Sequence, residues 1–312
     1  MATEAAKKVA VMMSTYNGEL YIEEQIDSIL RQTGVEVFLY IRDDGSTDGT
    51  LRILQNYSTR DNVRVAPGEH KGIGISFMEL LWSIPAEYDY YAFSDQDDIW
   101  ENDKLITAVN RLSSETGCVL YASNLECVDA DNNSIGLRFE PDIVFDGALL
   151  PVICRGVYYG CTQVFSKALF LLLQDRRPSI RQLRGRLHDN WTAVSAATAG
   201  RIFYDPEAHI RYRRHGNNYT MLKPGAVEIL SSRLSKLVLM DKRNVRSRTA
   251  REVLRQYPEK VENDKDRELI CSLAYPWKIA NKIALIKYRE KFKSFSTESD
   301  AWFIFKVLAG LI

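Results

Sequence analysis

Val9-Ala10-Val11-Met12-Met13-Ser14-Thr15-Tyr16-Asn17-Gly18 sets the architecture. An apolar run stops at a polar stretch, after which Ile22, Ile26, Ile29 and Leu30 recur at helical spacing up to Gln32, predicting strand, loop and helix. The same unit repeats downstream. Val35, Val37, Leu39 and Ile41 alternate with Glu36, Phe38, Tyr40 and Arg42, then meet the turn formers and helix caps of Asp43-Asp44-Gly45-Ser46-Thr47-Asp48-Gly49. A second helix follows through Leu51, Leu54 and Tyr57, and Val63 to Ala66 predicts a third strand. Phe77, Leu80, Leu81 and Ile84 form another helical stripe, and Tyr90 to Ser94 closes a fourth strand. Such alternation favours a mainly parallel sheet covered by helices, in which ligands sit beyond the carboxyl ends of the strands. The polar clusters Thr15 to Gly18, Asp43 to Asp48 and Asp95 to Asp98 all fall at those ends, and they share one crevice if the strands are neighbours.

Beyond Lys104 the pattern predicts a helix through Leu105, Ile106, Val109 and Leu112, then a strand from Cys118 to Ser123 and a turn at Asp129 to Asn133. Val157 to Phe165 reads as strand-like around Gly160, Leu169 to Leu173 and His188 to Ala199 as helices, and Ile202 to Tyr204 and His209 to Tyr212 as short strands. After about Lys223-Pro224-Gly225 the chain carries Arg, Lys and Leu at helical spacing, a helical appendage.

The 312 residues, 46% hydrophobic and 26% charged, suffice for a real core and exclude disorder, collagen and coiled coil as the main architecture. With 41 Lys+Arg against 41 Asp+Glu, the molecule as a whole is no trap for nucleic acid, and any attraction to a polyanion must be local. Such a local excess exists between Ser231 and Lys293, where 17 Lys/Arg face 8 Asp/Glu. Five cysteines without short paired spacings argue against a disulfide framework or a zinc site and fit a reducing cytoplasm. No secretory signal is recognisable, and no apolar stretch reaches the roughly 20 residues of a membrane-spanning helix. Ala301 to Ile312 is the nearest approach, about 18 Å long as a helix at 1.5 Å per residue.

Ser94-Asp95-Gln96-Asp97-Asp98-Ile99-Trp100 concentrates carboxylates that repel one another unless a cation sits among them, as a hard divalent ion shared with phosphate oxygens would. An acidic turn in solvent is the plainer reading of the string alone. Asp43-Asp44-Gly45-Ser46 is in isolation equally a turn with a helix cap, and Asp189 equally an N-cap ahead of Asn190-Trp191-Thr192. In Arg213-Arg214-His215-Gly216-Asn217-Asn218, guanidinium can fork onto phosphate and neutral His can ligate metal, against the alternative of a basic surface loop. Trp100 and Trp191 offer sugar-stacking faces or core packing. Cys161 reads as a small buried side chain near an acceptor, with the adjacent Gly160 giving a ligand room.

Taken together with Glu24-Gln25-Ile26-Asp27-Ser28-Ile29, Ser76-Phe77, Gly160-Cys161-Thr162 and His188-Asp189, these motifs resemble the family 2 glycosyltransferases of the GT-A fold, and among them bacterial rhamnosyltransferases of polysaccharide assembly. The resemblance runs from about Val9 to Tyr219. It implies an α/β fold with a Rossmann-like, mainly parallel central sheet: a GT-A catalytic domain over 1–222 (donor half about 9–100, acceptor half about 101–222) and a basic helical region over 223–312. Ser14, Tyr16 and Asp44 would hold base and ribose, with Thr15, Asn17, Asp43 and Gln96 beside them in the same motifs. Asp95 and Asp97 would form the DXD element beside the diphosphate, with Asp97 the first choice as ligand to Mg²⁺ or Mn²⁺, Asp98 a substitute and His215 a further ligand. Lys71 and Arg213 would reach phosphate, although His70 stands where the family usually keeps an Asn. Asp189 would be the base, with Trp100, Gly160, Cys161, His188 and Trp191 towards the acceptor.

The resemblance further implies an inverting transfer from a nucleoside-diphosphate sugar, dTDP-rhamnose favoured and a UDP-sugar the alternative, to a saccharide or lipid-linked acceptor. Such an acceptor suggests a cytoplasmic protein at the inner face of the plasma membrane. The cluster Arg243, Arg246, Arg248, Arg251 and Arg255 would attract anionic headgroups, while Trp302, Phe303, Ile304, Phe305, Val307 and Leu308 insert shallowly. A homo-oligomer contact through the same region is the rival. The competing functions are a noncatalytic nucleotide-sugar or carbohydrate binding module and, last, a metal phosphohydrolase, for which the additional clustered His ligands are missing.

Overall fold

A computed structural model of the chain describes residues 5–179, 188–215, 244–293 and 299–312. Its centre is β1 (Lys7–Thr15), whose Val9 to Met13 are completely buried, as a strand covered on both faces requires. β1 runs parallel to β2 (Val35–Asp43) on one side and to β4 (Tyr90–Ser94) on the other, and β3 (Val63–Pro67) extends the parallel set beyond β2. The first and fourth strands are therefore neighbours, and their ends open into the same space as that of β2. Three helices connect them: α1 (Ile22–Leu30), α2 (Thr50–Tyr57) and α3 (Ile73–Ser83). In α1 the buried Ile22, Ile26 and Ile29 face the sheet, while Glu23 and Glu24 in the first turn complement the helix dipole.

The second half adds β5 (Ile99–Trp100), α4 (Lys104–Ser113), β6 (Cys118–Val128), β7 (Ser134–Leu137), α5 (Leu149–Cys154), β8 (Val164–Ser166), α6 (Lys167–Asp175), α7 (His188–Ala199) and β9 (Gly200–Arg213). The sheet order is β3-β2-β1-β4-β8-β6-β9-β5, with β7 on β6. β8 is antiparallel to both neighbours, so β6 and β9 regain the direction of β1. Two apolar cores lie against the sheet. One contains Val9, Val11, Met13 and the isoleucines of α1; the other contains Met12, Phe77, Phe93, Phe170 and Trp191 and runs on into the C-terminal helices through Ala250, Val253 and Tyr257.

Two expectations change. The stretch Val157 to Phe165 is not one strand but a short 3-10 helix, Gly160–Thr162, followed by the brief β8. Gln163 Nε2 donates to Tyr158 O and to Asp189 O, each 2.9 Å, which ties this segment to α7 instead of the sheet. The two short strands at Ile202 and His209 are one strand, β9, whose pairing with β6 slips between Ser123 and Asn124, opposite Asp205 and Ala208. Pro206, lacking an N–H to donate, lies inside that irregularity.

After residue 243 come α8 (Val245–Gln256), α9 (Pro258–Glu262), α10 (Arg267–Ala274), α11 (Ile279–Lys287), α12 (Arg289–Lys293) and α13 (Asp300–Ala309). Among the described residues no helix is long and apolar enough to cross a membrane. Gly216-Asn217-Asn218, Lys223-Pro224-Gly225, Arg243 and the expected boundary at 222/223 lie outside the described residues.

Candidate active site

The loop after β2 builds itself first. The Asp43 carboxylate accepts from Gly45 N (3.1 Å), Ser46 N (2.9 Å) and Ser46 Oγ (2.5 Å), closing a turn in which Gly45 takes φ 81°. Asp43 is thereby occupied within its own turn. Asp44, almost fully buried, collects Arg42 Nη1 at 2.5 Å, Lys71 N at 3.0 Å and Gly72 N at 2.8 Å, with His70 Nδ1 3.1 Å away. Asp44 thus anchors the segment 70–72. The Lys71 ammonium pairs with Glu79 at 2.7 Å. His70 lays its ring 4.2 Å from that of Tyr16, a half-exposed pair of rings above Asp44.

The loop after β1 is held from two sides. Asn17, in the left-handed region at φ 49°, donates its N–H to Ser46 Oγ (2.9 Å) and accepts from Thr47 N (2.8 Å). Gln96 grips the other side: its Oε1 accepts from Thr15 Oγ1 (2.5 Å) and Tyr16 N (2.8 Å), and its Nε2 donates to Tyr16 O (3.1 Å). Ser14 Oγ donates to Ser76 Oγ at 2.7 Å, and Ser76 Oγ in turn accepts from Arg42 Nη1 at 3.0 Å. One hydrogen-bond network therefore joins the ends of β1 and β2 to α3, and Gln96 fastens the acidic loop to it.

Asp95, Asp97 and Asp98 occupy three different environments. Burial, followed by the charges of Asp97 and Asp189, raises the Asp95 carboxyl to about 7. The start of helix α7 borders this group through Gly160, which abuts Asp189, and Cys161, whose ligand atom lies within 4.8 Å of those of Asp95 and Asp98. Burial also raises Asp97, opposed by His215, whose Nε2 is 2.9 Å from Asp97 Oδ2. Asp98 is fully buried and raised well above the ordinary range by burial and by Asp97 and Asp95. It accepts from Arg213 N (3.2 Å) and lies beside Cys161 and the buried Lys104. Asp98 Oδ2 is buried without a hydrogen-bond partner among the described residues, so this carboxylate keeps one oxygen free beside Asp95.

Arg213 differs from expectation. Its Nη2 is 2.5 Å from Glu24 Oε2, its Nε donates to Asp97 O (3.1 Å) and its Nη1 to Ala130 O (2.9 Å), with the guanidinium 4.7 Å from the Tyr21 ring centroid. Every arm is engaged by protein, so the fork holds the acidic loop rather than reaching for phosphate. Trp100 and Trp191 are likewise packed: the Lys104 ammonium covers one ring at 3.6 Å, and Trp191 is fully buried beside Tyr257. Packing leaves neither ring a face for a sugar. Burial pulls Lys104 down to about 7. The sequence held no signal for this lysine beyond a helix start.

A Cβ on Gly160 would meet His188 Nε2 at 2.7 Å and Asp189 Cβ at 3.2 Å, so the glycine lets the 3-10 helix press against the start of α7. His188 is stacked on Phe77 at 4.0 Å and edge-on to Phe93 at 5.1 Å, and burial lowers its pKa. Asp189, only partly covered, accepts from Asn190 N at 2.7 Å.

Asp97 Oδ2 and His215 Nε2, a carboxylate oxygen and an imidazole nitrogen 2.9 Å apart, are atoms that could hold a divalent ion. Asp95, Asp98 and Cys161 also place ligand atoms within 4.8 Å of one another, but that group includes a thiol whose pKa burial pushes far up, a poor partner for Mg²⁺ or Mn²⁺.

A mainly parallel sheet whose neighbouring strand ends carry these acidic loops, covered by helices on both faces, is a glycosyltransferase of the GT-A architecture. The chain belongs to glycosyl transferase family 2, whose profile matches residues 10–169. It is 33% identical over 218 residues to the dTDP-rhamnosyl transferase RfbG of Shigella flexneri, covering 66% of this chain and 72% of that one. Two solved structures share the fold. One is S. aureus TarS 1-349 in complex with UDP-GlcNAc (TM-score 0.56, 20% identity, 89% of this chain and 75% of that one). The other is mannosyltransferase PcManGT from Pyrobaculum calidifontis in complex with GDP-Man and Mn²⁺ (TM-score 0.51, 17% identity, 97% and 80%).

Proposed function

We propose that the protein is an inverting, metal-dependent transferase that moves L-rhamnose from dTDP-rhamnose to a hydroxyl of a growing, lipid-linked polysaccharide. The reading is supported by the contact of His215 Nε2 with Asp97 Oδ2 at 2.9 Å, and by Cys161, whose ligand atom lies within 4.8 Å of those of Asp95 and Asp98 while its neighbour Gly160 presses against Asp189. Rhamnose is supported by the likeness to RfbG, and a metal by the Mn²⁺ complex of a structure with the same fold.

Tyr16 and His70 offer ring surface for a base over Asp44. Mg²⁺ or Mn²⁺ held by Asp97 and His215 would supply positive charge for the leaving diphosphate. Asp189 takes the proton of the acceptor hydroxyl at a carboxylate oxygen as that hydroxyl attacks the anomeric carbon from the face opposite the nucleotide. His188, held between Phe77 and Phe93 with its pKa lowered, stays neutral and gives Asp189 an uncharged wall. A panel of nucleotide sugars, read by thermal shift with and without Mn²⁺ and then by transfer to acceptor, tests the reading. Stabilisation by dTDP-rhamnose that needs Mn²⁺, with turnover, is expected; binding without turnover would return the protein to the class of binding modules.

A further inference from the structure

The C-terminal helices carry an apolar surface that the described residues leave bare. Ile279 (77% exposed) and Ile283 (62%) stand one turn apart on α11, Trp277 (56%) precedes them, and Leu308 (57%) belongs to α13. They form one surface because α11 packs on α13, where Lys282 Nζ donates to Leu308 O at 2.7 Å. The faces expected to insert are partly elsewhere: Phe303 and Val307 are buried in the core. Of the arginine cluster, Arg246 donates to Cys154 O, Arg251 lies over Trp277 and Arg255 pairs with Glu252.

Lysines border this surface. Of the six Lys/Arg between Tyr275 and Lys293, Arg289, Lys291 and Lys293 pair with Glu290, Asp266 and Asp300, which leaves Lys278, Lys282 and Lys287 beside the apolar residues. Lys278 and Lys287 have no carboxylate partner among the described residues; their ammonium groups lie over the rings of Tyr275 (5.4 Å) and Tyr288 (4.9 Å). Isoleucine and tryptophan at the centre with lysine beside them match a layer of acyl chains under anionic headgroups. A second copy fits worse. A two-fold contact would set the same lysine-rich patch against itself, and lysine is depleted from protein interfaces.

We propose that this surface docks the protein on an anionic phospholipid bilayer. The docked helices are fastened to the catalytic half: Tyr257 OH donates to Ser195 Oγ at 2.9 Å and Tyr257 packs on Trp191, both on α7, the helix that begins with His188 and Asp189. Docking therefore orients α7 relative to the bilayer. This inference goes beyond the transfer reaction and does not depend on which sugar is moved.

The test is co-sedimentation of the full chain with vesicles of phosphatidylcholine alone or with about one third phosphatidylglycerol, at low and high salt, alongside analytical ultracentrifugation without lipid. Binding to the anionic vesicles, weak binding to the neutral ones and a decline with salt are expected. Ile279→Glu/Ile283→Glu should lower vesicle affinity at least tenfold, and Lys278→Glu/Lys287→Glu on the order of twentyfold, since each surface lysine is worth about fivefold. Both pairs are exposed, so thermal midpoint and nucleotide binding should stay at wild-type values. Equal binding to both vesicle types, unchanged binding of the isoleucine variant, or a lipid-free dimer that this variant dissolves would each overturn the proposal, the last in favour of a second copy.

Discussion

His215 Nε2 lies 2.9 Å from Asp97 Oδ2, across 118 residues of sequence, and the pair is mostly covered by protein. Two residues before His215, Arg213 donates its backbone N–H to Asp98 Oδ1 and its side-chain Nε to Asp97 O, so the imidazole and the carboxylate are positioned by one short segment at the end of β9. If they share a metal, Asp97→Asn should lower transfer at least a hundredfold, because the charge that offsets the leaving diphosphate would be lost. His215→Gln should instead raise the Mn²⁺ concentration for half-maximal activity by about tenfold or more. Metal titrations of the two variants distinguish these effects; a His215→Gln enzyme with unaltered metal response would remove this residue from the ligand set.

Gln96 sits between the two aspartates and spends its amide on the β1 loop rather than on solvent. Its loss leaves Thr15 and Tyr16 N without their acceptor, at roughly 1 kcal/mol for each bond. Gln96→Ala should therefore raise the donor KM by about tenfold while kcat changes little, the pattern of a lost uniform binding contribution. Steady-state kinetics on donor alone decides it, and a fall in kcat with unchanged KM would place Gln96 in the chemical step instead.

How far the sequence carried can be judged from particular residues. Val9 to Met13 announce a buried strand because their burial depends only on the local apolar run, and the same holds for the stripe of α1. Turn chemistry around Asp43 and Gly45 is equally local. Arg213 was not legible in this way: whether a guanidinium meets phosphate or Glu24 depends on pairing across 189 residues. Trp100 and Trp191 pose the same difficulty, since an aromatic beside an acidic motif looks alike whether Lys104 or a sugar covers it. The C-terminal helices showed their basic and apolar composition, yet which apolar side chains turn inward was decided by packing against α7 and α10.

Gly160 supplies a test of the acceptor side. An added methyl would press on His188 Nε2 and on Asp189 Cβ, so Gly160→Ala must shift the start of α7 or the 3-10 helix. Overpacking of this kind costs about 1–3 kcal/mol of stability. Displacing a base by an ångström costs on the order of a hundredfold in rate. Transfer should fall by that order with nucleotide affinity retained, as should Asp189→Asn, for which general-base loss is typically a factor of about 10²–10⁴. Nucleotide binding by calorimetry beside transfer rates checks both; a full-rate Asp189→Asn enzyme would leave the residue only its structural place at the helix start.

His209 offers a prediction for stability and pH, remote from the acidic loop. On β9 it faces two carboxylates, Asp205 3.7 Å from Nε2 and Asp103 3.2 Å from Nδ1, while Tyr121 OH donates to the same Asp205 at 2.7 Å. Asp205, then Asp103, favour the imidazolium strongly enough to outweigh its burial, so its pKa in the folded protein is raised above the ordinary 6.5. A raised folded value means that the pair's contribution is complete below about 6.5 and is lost as pH climbs through the higher value. Asp205 limits the window from the acid side. Burial would raise its pKa, but the His209 imidazole 3.7 Å away and the hydrogen bond from Tyr121 lower it overall, so its charge survives to below about pH 4. The gap in thermal midpoint between wild type and His209→Gln should be widest between about pH 5 and 6 and shrink towards pH 9. A gap that stays constant over that range would show that His209 acts through packing alone.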